Sequence, residues 1–397
     1  MKSRLSQLFN AFAPLGIPLA WRQLTRDRKR FVTAIAGVTF GFVLMLFQIG
    51  LYTASLRMVV FPHSALKGEL VITSRNYGYF YSNETFPRQI LYQLRGVPGV
   101  ASVAPLNVHF VRWKNTTTGV NREIGALAVN PSENPFNHPE LTKNIHLLTN
   151  SETVLFDRRS NQDDFGNVVD LFLKTGAAIS EVERVRLKVK GLFSLGQTLA
   201  STGHIVISDE ALARIFPYRP TNRISLGLAT LDAGVDPVEM RRRLATFLPA
   251  EVRIMTAHEF QKEEQDYWIT RTAIGFICLA GMLVGMFVGA IVVYQILYTD
   301  VTDHLREYAT LKAIGITDMF LLRIVLTEAL ILLAASALPL TILSGLLFEV
   351  TRTEAGMPTE LALPELLAVF AIGAAVCIFA GLLATRKLKT ADPADIY

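Results

Sequence analysis

Four long runs of apolar residues alternate with polar stretches along the chain. They cover residues 31–55, 271–298, 319–348 and 363–385. An α-helix rises about 1.5 Å per residue, so about 20 apolar residues cross a bilayer core of about 30 Å. The pattern therefore predicts an α-helical membrane protein with four transmembrane helices.

The polar segment 56–270, between the first and second runs, is long enough to fold as a domain. Alternating or β-branched stretches within it predict strands, and three amphipathic stretches predict helices. The predicted strands are 69–73, 100–105, 107–113, 123–129, 153–156, 184–193, 204–208, 224–231 and 252–255, and the predicted helices are 88–95, 209–216 and 237–247. Segment 130–150, with three prolines, predicts an irregular loop. We expect an α+β domain inserted between the first two transmembrane helices.

Two helices are expected to join this domain to the membrane. Thr256 and Glu259 have the spacing of a capping box, which predicts a helix that runs through 261–270 into the second apolar run. The first apolar run is expected to continue past Ser55. Together they would form a stalk, on which the acidic residues Glu263, Glu264 and Asp266 are interpreted as a solvated helix face.

The polar bridge 299–318 separates the second and third apolar runs. Four polar residues recur there at i, i+3, i+4 and i+7, namely Asp303, Arg306, Glu307 and Thr310. Four apolar residues follow another face, namely Leu305, Tyr308, Leu311 and Ile314. Gly315 suits a helix C-terminus. The bridge therefore predicts a short amphipathic helix, 304–315, presented outside the membrane.

Small residues in the first two apolar runs predict close helix packing. Gly281, Gly285 and Gly289 recur every four residues, and Gly37 and Gly41 have the same spacing. Such spacing lets another helix backbone approach closely.

Glu328 is an ionisable residue within the third apolar run, where a charge is costly. One interpretation is a hinge or polar contact at the inner end of the bundle. The other is a group solvated near the cytoplasmic interface, with Arg323 nearby.

Composition and charge support a membrane protein and give its orientation. The chain is 51% hydrophobic with a mean hydropathy of +0.34, too apolar for an ordinary soluble protein of 397 residues. Its formal net charge of +5 comes mainly from basic residues beside the apolar runs, which favours membrane orientation over nucleic-acid binding. Residues 1–30 predict a basic, amphipathic segment on the inner leaflet. The positive-inside rule then predicts two cytoplasmic termini, with 56–270 and the loop 349–362 outside.

The sequence contains no motif that predicts catalysis. It has no Gly-Lys pair, so it lacks the phosphate-binding loop of a Walker-type ATPase. His258-Glu259 has no second histidine at the spacing of a zinc protease. Cys278 and Cys377 lie inside apolar runs and have no metal-site spacing. We therefore expect no catalytic residue, metal site or cofactor in this chain.

Several segments carry a resemblance to one family. They are PLAWRQLTRDRKRF (18–31), AIAGVTFGFVLMLFQIGLY (34–52), VLFDRRS (154–160), VKGLFSLG (189–196), EEQDYWITRTAIGF (263–276), IVVYQILYTDVTDHLREYATLKAIG (291–315) and RKLKTADPADIY (386–397). The bridge, followed by Glu328-Ala329, resembles the FtsX-type permease domain of MacB-like ABC transporters, here over 271–397. More narrowly, the chain is similar to the DevC family of ABC exporter membrane subunits.

This resemblance implies a non-catalytic permease subunit of a tripartite exporter in the bacterial inner membrane. It implies a homodimer, a separate cytoplasmic ABC ATPase that holds ATP and Mg, a periplasmic membrane-fusion adaptor and, indirectly, a TolC-like outer-membrane channel. The bridge helix would be the coupling helix on the ATPase, through His304, Leu305, Arg306, Glu307, Tyr308, Leu311, Lys312 and Gly315. Export would be driven by mechanotransmission through the stalk, and the expected cargo is lipid-like or otherwise amphipathic.

Three other functions compete with export. They are a lipoprotein-releasing permease of the LolC type, an FtsX-like regulator of a cell-wall hydrolase, and a sensor. Neighbouring genes would discriminate, since an adaptor and an ATPase favour export and a hydrolase favours regulation. The absence of a cytoplasmic signalling domain counts against the sensor.

Overall fold

The computed structural model describes residues 17–313 and 317–385. The chain divides into two compact units. The α/β unit comprises Ser55–Ala273, and the helical unit comprises the described residues before and after it. The prediction of four apolar helices and a mixed α/β domain is confirmed.

Two helices begin the described chain. Helix α1 is Ile17–Arg26 and helix α2 is Arg28–Ser64. Ala20 and Leu24 of α1 are buried in the core of the helical unit, whereas Trp21 is 41% exposed, so α1 is amphipathic. Helix α2 is uninterrupted over 37 residues and continues past Ser55, as predicted. Residues 1–16 of the predicted N-terminal segment lie outside the described residues.

The α/β unit contains strands of a large mixed sheet, with short helices around it. The strands are β1 Leu70–Ser74, β2 Phe86–Pro87, β3 Val100–Lys114, β4 Asn121–Val129, β5 Thr153–Asp157, β6 Ala178–Val182, β7 Val185–Phe193, β8 His204–Ser208, β9 Arg223–Ile224, β10 Leu226–Leu231 and β11 Val252–Thr256. The helices are α3 Arg88–Gln93, α4 Pro139–Asn144, α5 Gln162–Phe165, α6 Val168–Thr175, α7 Asp209–Ile215, α8 Pro237–Ala245 and α9 Ala257–Thr270.

The sheet has the strand order β11-β1-β10-β3-β4-β8-β5-β7-β6, and β2 pairs separately with β9. The pairs β4–β8 and β5–β7 are parallel, and the other pairs are antiparallel. Strand β6 also pairs with β3, between Val182 and Trp113, so six strands form a closed ring. Trp113 and Phe156 belong to the hydrophobic core formed by the strands of this ring. Strand β1 lies outside the ring, and α3 and α8 cover its residues Leu70 and Ile72.

Some predicted boundaries in the α/β unit are wrong. The expected strands 100–105 and 107–113 are one strand, β3, although it contains Pro105. Residues 100–105 pair only with β10, and proline is tolerated where a strand has one neighbour. The expected irregular loop 130–150 contains α4 and a 3-10 helix, Ile145–Thr149, because Leu141 and Leu148 are fully buried.

Helix α9 begins as predicted but ends earlier than predicted. Thr256 Oγ1 accepts a hydrogen bond from the Glu259 amide at 3.2 Å, and Glu259 Oε2 accepts one from the Thr256 amide at 2.8 Å, which confirms the capping box. The helix ends at Thr270, and a new helix begins at Ala273. The prediction of a helix continuous into the second apolar run is therefore wrong. The hydroxyls of Thr270 and Thr272 donate to carbonyls one turn earlier, an arrangement that often bends helices.

The remaining helices complete the helical unit. They are α10 Ala273–Asp303, α11 Leu305–Ala313, α12 Asp318–Glu354 and α13 Leu363–Ala384. By length and composition, α2, α10, α12 and α13 can each cross a membrane. Large apolar side chains on them are exposed, with Phe276 at 73% and Leu338 at 71%, as suits contact with lipid. The second apolar helix extends beyond the predicted 298 to Asp303.

Helices α2 and α10 pack closely through the predicted glycines. A Cβ atom on Gly41 would lie 2.6 Å from Cα of Gly289, and one on Gly285 would lie 2.8 Å from the amide nitrogen of Met45. These contacts involve backbone atoms, which cannot move aside as a flexible side chain can. The remaining contacts of the same series join Gly37 to Val292, Gly281 to Gln48, and Gly289 to Phe42. Partner numbers fall along one helix as they rise along the other, so the two helices are antiparallel.

We predict that Gly41→Ala destabilises the helical unit because its methyl group would displace the α10 backbone. Overpacking of this kind costs about 1–3 kcal/mol. The matched control is Gly345→Ala on α12, where a Cβ atom meets nothing within 4 Å. Thermal unfolding of the full chain in detergent should show a lower midpoint for Gly41→Ala alone. Equal midpoints for the two variants would contradict the packing described.

Candidate functional site

Helix α11 has one buried face and one exposed face. Tyr308 and Ala309 are 1% and 4% exposed, and Tyr308 lies in the core of the helical unit. The predicted polar face is exposed, namely Asp303, Arg306, Glu307 and Thr310. Leu311 and Lys312 also lie on α11, whereas Gly315 and the tail 386–397 lie outside the described residues. The helix is therefore attached through its apolar side and presents polar groups outward.

Arg30, at the start of α2, pairs with two acids at the end of α10. Its Nη1 lies 2.5 Å from Asp303 Oδ2, and its Nη2 lies 3.8 Å from Asp300 Oδ1. The Asp300 side chain is only 6% exposed. A buried carboxylate is strongly destabilising without a cation nearby, so Arg30 holds these two helix ends together.

Two further contacts extend this cluster onto α11. Arg26 Nη1 lies 3.7 Å from Glu307 Oε1, with both side chains largely exposed. The ring nitrogen Nδ1 of His304 lies 3.0 Å from the carbonyl oxygen of Asp300 and 3.6 Å from its Oδ1. His304 therefore lies at the junction between α10 and α11, where it contacts the buried acid.

A cavity of about 400 Å³ opens beside these residues. Arg26, Arg30, Asp303, His304 and Glu307 contribute its polar lining. Among the residues that the structure describes, no group of three His, Cys, Asp or Glu side chains is placed to hold a metal ion. The mixed charges suit a contact with a polar protein surface better than chemistry on a small substrate.

Glu328 of α12 lies in the same region and is completely buried. It is close enough to Asp300 and Arg30 to interact electrostatically with both. The interpretation as a solvated interfacial group does not fit this burial. A role as a hinge or polar contact stays a prediction, because neither carboxylate oxygen of Glu328 has a hydrogen-bond partner among the described residues. Asp300 and Arg30 were not singled out from the sequence, since their pairing joins two helices that lie far apart along the chain.

Glu264 of α9 is a second polar group whose position the sequence did not predict. The interpretation of Glu263, Glu264 and Asp266 as a solvated face is wrong for Glu264, which is 1% exposed. Its Oε2 accepts from the Tyr77 hydroxyl at 2.9 Å, and its Oε1 accepts from the Phe80 amide at 3.0 Å and from Trp268 Nε1 at 3.1 Å. Glu264 thereby fixes the segment 77–80 to α9.

Comparison with known proteins identifies the class. Residues 279–393 match the family of FtsX-like permease C-terminal domains. Two relatives, uncharacterized ABC transporter permeases of Mycobacterium tuberculosis strains CDC 1551 / Oshkosh and ATCC 25618 / H37Rv, are each 21% identical over 374 residues. Each alignment covers 94% of this chain and 96% of the relative. The chain is therefore a homologue of ABC transporter permeases and contains an FtsX-like permease domain. The predicted resemblance to permeases of this type is confirmed.

Two solved structures are similar to part of the chain. The periplasmic region of MacB from Actinobacillus actinomycetemcomitans is 10% identical with a TM-score of 0.35, over 52% of this chain and 96% of that one. The extracellular domain of YknZ, an ABC-type transporter from Gram-positive bacteria, is 15% identical with a TM-score of 0.33, over 47% and 100%. These scores are too low to define the fold of the α/β unit.

Glu264 predicts a pH dependence of stability. Burial raises its pKa from 4.5 to about 6. The stability contributed by the protonated group is complete below pH 4.5 and is lost as the pH rises through about 6. Since one pKa unit corresponds to about 1.4 kcal/mol, the loss amounts to about 2 kcal/mol.

Glu264→Gln keeps the shape of the side chain and should flatten the thermal midpoint of the full chain between pH 4.5 and 7.5. Asp266→Asn, at an exposed position on the same helix, should leave the pH profile of the parent unchanged. A parent-like profile in Glu264→Gln would show that Glu264 does not control this pH dependence.

Proposed function

We propose that this chain is the membrane subunit of an ATP-driven tripartite exporter of the MacB or DevC type. In this proposal, α11 is the coupling helix that receives a separate ABC ATPase. The observation that carries the proposal is the arrangement of α11, whose apolar side is buried while its polar face stays exposed. Its homology to ABC transporter permeases supports the same role.

In this proposal, the energy for transport comes from a separate ATPase subunit. The sequence lacks a Walker-type phosphate loop, so ATP and Mg would be held by the partner ATPase. This chain would then act as a non-catalytic subunit that converts closure of the ATPase into movement.

The ion pairs of Arg30 supply a physical path for that movement. A force applied to α11 would act on the end of α10 through His304, and on the start of α2 through Arg30. Helix α2 is uninterrupted from Arg28 to Ser64, so a displacement at its start would be carried along the whole helix. The interruption of the helix at Arg271 and Thr272 would let the angle between α9 and α10 change. This pair, one continuous helix and one interrupted helix, would serve as the stalk.

The positive-inside rule supports an inner-membrane location with both termini and α11 in the cytoplasm. The α/β unit and the segment 355–362, which follows α12, would then face the periplasm. There, a membrane-fusion adaptor would contact the α/β unit and lead to a TolC-like outer-membrane channel. Two copies of the chain would form the transporter, with a lipid-like or other amphipathic molecule as the cargo.

We expect Glu307→Lys to weaken binding of the cognate ATPase about tenfold, because reversing an interface charge costs on the order of 1–2 kcal/mol. The matched control is Glu349→Lys on α12. Both glutamates are about half exposed, at 56% and 55%, and each faces an exposed arginine. The measurement is co-purification of the ATPase with the full chain, followed by its ATPase rate in vesicles. If Glu307→Lys co-purifies with the ATPase as the parent does, and the ATPase rate is unchanged, then α11 is not the docking helix.

A further inference from the structure

A groove on the α/β unit combines an aromatic surface with one cation. It has a volume of about 600 Å³ and lies between β3 and the loop that follows α7. His109 and Phe110 come from β3, and Phe216, Tyr218 and Arg219 come from the loop. The size falls within the range of about 300–1,000 Å³ typical of small-molecule sites.

The apolar part of the groove is open to solvent. Tyr218 is fully exposed, and the ring of Phe216 lies 6.0 Å from that of His109. Phe110 is held in place by stacking on the buried Tyr81, with ring centroids 4.5 Å apart. A ligand chain that covered these rings would remove apolar surface from water, which favours binding.

Arg219 is the cation of the groove, and it has no ion-pair partner among the described residues. Its Nη2 donates to Asn107 Oδ1 at 3.0 Å. The neighbouring carboxylate, Asp209, is already engaged, since it accepts from Arg88 Nη2 at 2.5 Å and from Asn107 Nδ2 at 2.9 Å. Burial lowers the pKa of the Arg219 guanidinium, and the charge of Asp209 only partly offsets this effect. An anion beside it would therefore be favourable.

The groove offers a single positive charge at neutral pH. Burial, with the charge of Arg219 as a further cause, lowers the pKa of His109 to about 4, so this ring is neutral. No carboxylate lines the groove. Glu210 and Asp209 instead line a separate cavity of about 230 Å³, on which Arg219 also borders. One cation next to an apolar surface matches a monoanionic headgroup on an apolar chain.

We propose that this groove binds a long-chain carboxylate, with the chain over Phe216 and Tyr218 and the carboxylate on Arg219. A groove of about 600 Å³ has the size of a small-molecule site. As a contact for exported cargo, the site rests on the proposed function. Binding of the carboxylate does not, because it requires no transport.

The test uses the full chain in phosphatidylcholine nanodiscs and a palmitic acid that carries a diazirine in its chain. After illumination, mass spectrometry measures labelling of the segment 209–223 as a function of probe concentration. We expect saturable labelling of the parent and a half-saturating concentration raised about tenfold in Arg219→Gln, a loss of about 1.4 kcal/mol. Arg219→Lys, which keeps the charge, should restore most of the labelling.

Two controls separate the groove from general effects. Arg214→Gln removes an exposed arginine of the same region that pairs with Glu152 at 3.6 Å, and it should label like the parent. Tyr218→Ser changes a fully exposed side chain, so it should fold normally and label less.

A neutral diazirine alcohol of the same chain length should label weakly. Equal half-saturation for Arg219→Gln and the parent, or equal labelling by the acid and the alcohol, would overturn the proposal. The assay contains no ATPase, so its failure is distinguishable from a failure of the export function.

Discussion

The antiparallel contact between α2 and α10 is the interaction on which the rest of the structure depends. In lipid, helices associate through close packing, and small residues permit it. The contact places Gly41 against Gly289. Arg30 lies eleven residues before Gly41 (41 − 30), and Asp300 lies eleven residues after Gly289 (300 − 289). The same register therefore brings Arg30 to Asp300, so glycine packing within the apolar region positions the ion pair at its end.

This register also explains why α11 is held in a fixed orientation. The chain leaves α10 at Asp303, which Arg30 holds, and turns directly into α11. Tyr308 then packs into the core that α2, α10, α12 and α13 share. The polar face is consequently held in a fixed orientation by both an ion pair and an apolar contact. In the proposed exporter, this is the property that a docking helix requires in order to pass on a movement.

The apolar runs and the polar face of the bridge could be predicted because each depends only on local periodicity. The Arg30–Asp300 pair could not, since it depends on the register of two helices about 270 residues apart in sequence. Glu264 was misjudged because its burial comes from Tyr77 and Phe80, on a distant segment. Strand β6 was missed because Ala178 and Ser180 face inward while Ile179 is 61% exposed, the reverse of the usual alternation.

The proposed exporter requires that α11 and the α/β unit lie on opposite sides of one membrane. Single cysteines at Thr310 and Ala233, both exposed, would report this directly in a chain whose Cys278 and Cys377 are replaced by alanine. A membrane-impermeant maleimide should label Thr310→Cys only in inverted vesicles and Ala233→Cys only in right-side-out vesicles. Labelling of both positions in the same vesicle preparation would contradict the account.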